Sequence, residues 1–195
     1  MEADYSVELG AGADVLELPW TSPSGEVQYR DLKRQPELLA LIPEVVTFPE
    51  LHDFLESMNS ASSLFETAKC DVWSTAEILP EDQIFNLPCK FGCYIDLLYS
   101  DSRRFSFPEY ESLVTRWTKL LRTAPDVPSS VEFIVRGCFF HSEQQNGFYI
   151  TMYVFGFGED ESRARRQWAI GLQLVANAIR QASMGSGFQP RIPEA

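Results

Sequence analysis

Gln145-Asn146-Gly147 separates two β-patterned runs at 131–140 and 148–157. Asn-Gly tolerates the positive φ angles of a tight turn, and aromatic and β-branched residues dominate both flanks. The pair predicts an antiparallel hairpin. Aromatic residues fall on both of its faces: Phe139, Phe140, Phe148, Tyr149, Tyr153, Phe155 and Phe157. Helices packed on one side only would leave some of these rings uncovered, so the N-terminal segment at 15–60, a ligand or another protein must meet them.

A second strand is written at 91–99. Phe91, Cys93, Ile95, Leu97 and Tyr99 alternate with Gly92, Tyr94, Asp96 and Leu98. Residues 72–79 predict its partner. Ser106-x-x-Glu109 with Pro108 reads as a capping box opening a helix whose apolar face is Tyr110, Leu113, Val114, Trp117, Leu120 and Leu121. Glu159 and Asp160 open the last helix, which runs to about Ser183. Upstream, Thr47 predicts the N-cap of a helix carrying Leu51, Phe54, Leu55 and Met58, residues 36–42 read as a helical turn, and 28–32 as a short edge strand.

A weak repeat at an offset of 55 places Gly92, Tyr94 and Ile95 on Gly147, Tyr149 and Ile150, and Glu77-Ile78 on Glu132-Phe133. The fold expected is therefore α+β: a two-layer sandwich whose antiparallel sheet is two hairpins in ββαββα order. Helices cover mainly one face, and an N-terminal helical segment precedes the sheet. Residues 1–14 are expected to be a disordered acidic arm, 15–184 one domain with possible repeats at 72–123 and 129–183, and 185–195 a flexible tail.

The 195 residues carry a net charge of −12, spread unevenly. Residues 1–29 hold six acids and no base, and 37–82 hold ten acids against Lys69. Segments 102–123 and 161–183 are each +3 by the same count. No dense basic face emerges, which argues against nucleic acid as a partner. No apolar run approaches 18 residues, and the N-terminus lacks a basic and apolar leader pattern, so neither membrane insertion nor export is expected.

Four cysteines and two histidines give no CxxC and no HExxH. Cys89 and Cys93, four apart on one strand, lie about 13 Å apart and cannot bridge. Reduced thiols in a cytoplasmic protein are expected, with no metal and no cofactor. His52 and Glu56 share a helix face without a third ligand. His141 beside Ser142-Glu143 lacks a nucleophile motif. Gly156-Phe157-Gly158 runs into an acidic helix start, which repels phosphate.

Two readings remain foremost. The first is a non-catalytic interaction or assembly module, a homodimer or a binder of another protein, joined through Ile170 and Leu174 on the far side of the last helix. The alternative is a small apolar-ligand-binding domain with an aromatic-lined pocket. There, Tyr94, Asp96, Arg136 and Tyr153 would face one cleft from the polar side of the sheet. Catalysis by Asp96, His141 or Tyr94 ranks third.

Overall fold

A computed structural model describes residues 1–10, 12–13, 15–78 and 85–184. Among these lie strands β1 (Glu2–Glu8), β2 (Leu16–Leu18), β3 (Phe65–Thr75), β4 (Cys89–Tyr99), β5 (Ser129–Phe140) and β6 (Gln145–Gly158). The helices are α1 (Pro43–Thr47), α2 (Pro49–Asn59), α3 (Phe107–Leu121) and α4 (Glu161–Met184). Short 3-10 turns occupy Pro36–Leu41 and Ser102–Phe105.

The six strands form one sheet in the order β1-β5-β6-β4-β3, with β2 running beside β5 beyond the end of β1. β1 and β2 are parallel to β5, while the β3–β4, β4–β6 and β5–β6 ladders are antiparallel. The fold is thus α+β with a mixed, mostly antiparallel sheet. This corrects the expected ββαββα order behind a helical segment: the chain opens with two strands, which make the sheet mixed and add an edge that the two-hairpin scheme lacks.

The acidic arm is the second correction. Residues 2–8 are not disordered but pair with Ser130–Arg136 of β5. Ala3 is buried, Tyr5 packs on the core, and the Tyr5 hydroxyl accepts a hydrogen bond from Thr115 Oγ1 at 3.3 Å. Arg122 Nε holds the carbonyl of Ala3 at 2.8 Å. An edge strand tolerates charges on its solvent side, so acidity and strand structure coexist here.

Smaller expectations also shift. The partner of β4 begins at Phe65 rather than Val72, because a bulge between Thr67 and Cys70 breaks its alternation. Residues 28–32 form no strand; Gln28 makes an isolated bridge to Thr21. Thr47 does not cap α2, and its hydroxyl donates back to the Pro43 carbonyl. Ser106 starts α3, yet its side chain caps nothing. The segment 185–195 lies outside the described residues.

β4 and β6 run side by side, so Asp96 stands opposite Thr151 and Leu97 opposite Ile150. The 55-residue offset matches Asp96 with Thr151 as well. The upstream half of that alignment does not hold: Glu77 lies beyond the end of β3, whereas Glu132 sits inside β5.

One face of the sheet carries the main core. Cys93, Ile95, Leu97 and Tyr99 of β4, Phe133 and Val135 of β5, and Ile150, Met152 and Val154 of β6 meet α2, α3 and α4 there. Trp117 of α3 and Trp168 of α4 are wholly buried in it. Gly156 allows the close approach of α4, since a Cβ there would strike the backbone of Ala164 and Trp168. α4 touches both α2 and α3. That placement explains why Leu174 is half-buried against the core while Ile170 is exposed.

The opposite face is only partly covered. Leu16 and Leu18 of β2 pack with Leu98, Cys138, Phe140 and Tyr149, and Trp20, Tyr29, Ala68 and Phe105 pack on that cluster. The uncovered part carries half-buried aromatic side chains from β3, β4 and β6.

Candidate functional site

The uncovered part of the second face meets Ala13 and the crossing segment 15–21 in a cleft of about 850 Å³. Its floor comes from three central strands. Tyr94 and Asp96 project from β4, Arg136 from β5, and Tyr149, Thr151 and Tyr153 from β6. Period-two alternation puts them all on the face opposite the helices. The structure thereby brings together Tyr94, Asp96, Arg136 and Tyr153, the four residues that the alternation alone had singled out.

Asp96 is the unusual member. It is 4% exposed, and among the described residues its carboxylate accepts one hydrogen bond, from Thr151 Oγ1 at 2.7 Å. The same Thr151 oxygen accepts from Arg136 Nη1 at 3.1 Å. Arg136 Nε in turn donates to Glu8 Oε2 at 2.9 Å. Asp96 and Arg136 are therefore joined through Thr151 and make no direct contact. Burial raises the Asp96 carboxyl from an ordinary 3.8 to about 6, opposed by the Thr151 hydrogen bond and the charges of Lys69 and Arg136.

The phenols around it are also shifted. Burial, then the Asp96 charge, raises Tyr94 above its ordinary range and pushes Tyr149 to about 12. Both remain protonated donors at neutral pH. Trp20 and Lys69 form another wall: Trp20 Nε1 donates to the Ala68 carbonyl at 2.8 Å, and Lys69 Nζ lies 4.8 Å from the Trp20 ring centroid. Alongside the cleft, Trp73 sits 6.4 Å from Tyr94, 6.5 Å from Tyr153 and 5.8 Å from Phe155, centroid to centroid. Gly92 leaves the space that the Phe155 ring fills.

Thr151, Lys69, Trp20 and Glu8 were not anticipated. Thr151 was within reach, since the offset that pairs Tyr94 with Tyr149 also pairs Asp96 with Thr151. Glu8, Trp20 and Lys69 arrive from segments far away in the chain, and no local pattern announces them.

A second cleft, of about 400 Å³, lies beneath residues 18–34 at the other end of the face. Arg104 there stands 3.9 Å from Glu66 and 3.6 Å from Glu143, with Phe140 against its guanidinium. Burial raises Glu66 and lowers Lys33. Lys33 is not free to react: its ammonium donates to the carbonyls of Ser60, Ser63 and Phe65 at 3.2, 2.6 and 2.9 Å. It is a strut tying the 18–34 segment to β3, and the smaller cleft reads as a neutralised ionic cluster.

The other flagged residues stand apart. His141 pairs with Glu17 at 3.0 Å on the β2–β5 edge. His52 faces Asp53 at 3.4 Å. Among the described residues, no three His, Cys, Asp or Glu side chains converge as a metal site would require, and no helix is long and apolar enough to cross a membrane. Ile170 is exposed on α4, whereas Leu174 is half-buried against the core. No family model, curated protein or solved structure matches this chain at a significant level.

Proposed function

We propose that the protein is a small-molecule-binding domain whose ligand occupies the cleft over the uncovered sheet face and is oriented by Asp96 and Arg136. One observation carries this reading: a carboxylate buried in the floor of a large cleft, with a single hydrogen bond to the protein among the described residues. Burying a carboxylate with so few partners is unfavourable for folding. A bound group that donates to it offsets that cost, which gives the residue a reason to be there. The cleft falls within the usual size range of small-molecule sites, and its floor is built on strands, which hold side chains more rigidly than loops.

The lining is more polar than the aromatic-lined apolar pocket first envisaged. Charged residues and phenols outnumber aliphatic ones around it. The ligand must therefore satisfy hydrogen bonds as well as cover rings. Four free cysteines fit a reducing, cytoplasmic setting for this activity. Self-association through α4 forms no part of the reading, since among the described residues Ile170 is the one large apolar side chain exposed there.

The test is a ligand-observed NMR screen of a water-soluble metabolite library against wild-type protein, repeated with Asp96→Asn and Arg136→Met. The expected result is at least one compound whose saturation transfer both variants weaken or abolish. Binders that ignore both substitutions, or no binder at all, would contradict the assignment.

A further inference from the structure

We infer that the occupant of this cleft is a neutral, hydroxyl-bearing ring compound of the saccharide class; this rests on the binding reading above and names its ligand. The charges argue first. The lining includes the acids Glu8, Glu17 and Asp96 and the bases Lys69 and Arg136. Arg136 is engaged by Glu8 at 2.9 Å, and Glu17 by His141 at 3.0 Å. Lys69 lies over the Trp20 ring. An anionic ligand, such as a phosphate ester, meets three carboxylates against one ammonium and one guanidinium whose charge Glu8 already pairs. An organic cation meets an ammonium over one aromatic wall and a guanidinium in the floor. A neutral ligand disturbs none of these pairs.

Hydrogen-bonding capacity argues second. Tyr94, Tyr149 and Tyr153 present hydroxyls that both donate and accept, whereas the Thr151 proton is given to Asp96. Asp96 accepts and Arg136 donates, with Thr151 Oγ1 between them at 2.7 and 3.1 Å. Two adjacent hydroxyls on one ring match that arrangement, one donating to the carboxylate and the other accepting from the guanidinium. Hydrogen bonds to charged groups are the stronger kind, so this pair would fix the orientation.

Ring surface argues third. Tyr94 and Tyr153 lie 6.1 Å apart, and Tyr153 stacks with Phe155 at 6.3 Å. Of these rings, Tyr94 and Tyr153 line the cleft and offer flat apolar surface to the C–H side of a sugar ring while its hydroxyls turn toward Asp96 and Arg136. A cleft of about 850 Å³ accommodates one or two such rings.

The experiment is saturation-transfer NMR followed by calorimetry. The probes are four neutral sugars (glucose, galactose, maltose and cellobiose), matched sugar phosphates and uronic acids, and a set of amino acids and organic amines. At least one neutral sugar should bind. Its affinity should fall about tenfold or more in Asp96→Asn and in Tyr153→Ala, and its phosphorylated or uronic counterpart should bind about tenfold more weakly than the neutral form. Tyr153→Ala keeps the test independent of any effect of Asp96→Asn on folding. If charged compounds bind in an Asp96-dependent manner and the neutral sugars do not, the saccharide inference falls and the binding site stands. If neither the neutral sugars nor any other probe binds, the inference falls; the site itself falls only if the wider metabolite screen is empty as well.

Discussion

Trp117 shows what a single residue does in this fold. It is wholly buried between Phe65 and Phe133, with ring centroids 5.5 and 5.3 Å away, yet its indole N–H has no hydrogen-bond partner among the described residues. Two opposing contributions meet there. The ring buries a large apolar surface, and the unpaired N–H costs on the order of 1–3 kcal/mol. Trp117→Ala should destabilise by roughly 3–5 kcal/mol in urea unfolding. Trp117→Phe removes the orphan donor with part of the ring, and should cost no more than about 1.5 kcal/mol. A loss for Trp117→Phe as large as that for Trp117→Ala would mean that the indole N–H is satisfied and contributes to stability. Lys33 is a second such position. Its ammonium fills a nest of three carbonyls, so Lys33→Met should cost about 3 kcal/mol despite conserving the aliphatic stem.

At the scale of elements, β1 overturns the simplest reading of the N-terminus. Residues 2–8 form the parallel edge of the sheet, and Glu8 supplies the partner of Arg136. Deleting residues 1–8 should lower the melting temperature by roughly 5–10 °C. Ligand affinity should fall with it, because the guanidinium loses its anchor. An unchanged melting temperature would show that the strand contributes nothing. The pattern was present in the sequence: Ala3, Tyr5 and Val7 alternate with Glu2, Asp4, Ser6 and Glu8. Three acids in seven residues hid it, and the partner strand lies more than 120 residues away, where no local signal reaches. β4 and the β5–β6 hairpin were legible for the opposite reason. Their apolar residues are large and run along the whole of each strand, although the turn itself falls at residues 141–144 and not at Asn146-Gly147, which lie in β6 opposite Phe139 and Cys138. β3 was misplaced because the bulge after Thr67 breaks the period by which a strand is recognised. The cleft was half legible. Alternation along β4, β5 and β6 told which residues share the polar face, but only the topology says that β4 and β6 are neighbours and that segment 15–21 crosses over them.

The whole molecule is a mixed sheet insulated by helices on one side and only partly covered on the other. The helical side supplies stability. The second side is uneven: β2 and residues 18–34 close one end, and an aromatic, hydroxyl-rich surface remains at the other. Asp96 lies at that boundary and links the two roles. Thr151, Lys69, Arg136 and the phenols of Tyr94 and Tyr149 are the polar groups around it. Its carboxyl is raised from 3.8 to about 6, mainly by burial. Between those values the folded protein binds more protons than the unfolded chain. Its contribution to stability therefore falls as pH rises from about 4 to about 6, and above that range the full cost is present. A shift of that size corresponds to about 3 kcal/mol.

The central claim is that Asp96 is kept charged for a ligand at the expense of the fold. Urea unfolding of wild type and Asp96→Asn, at pH 7 and again at pH 4, tests it most directly, because the asparagine oxygen still accepts from Thr151 while the charge is gone. The account predicts a variant more stable than wild type by up to about 3 kcal/mol at pH 7, and near parity at pH 4. A variant less stable than wild type at pH 7, or a difference that does not change with pH, would make Asp96 a structural hydrogen-bonding group and remove the cleft's strongest claim to a ligand.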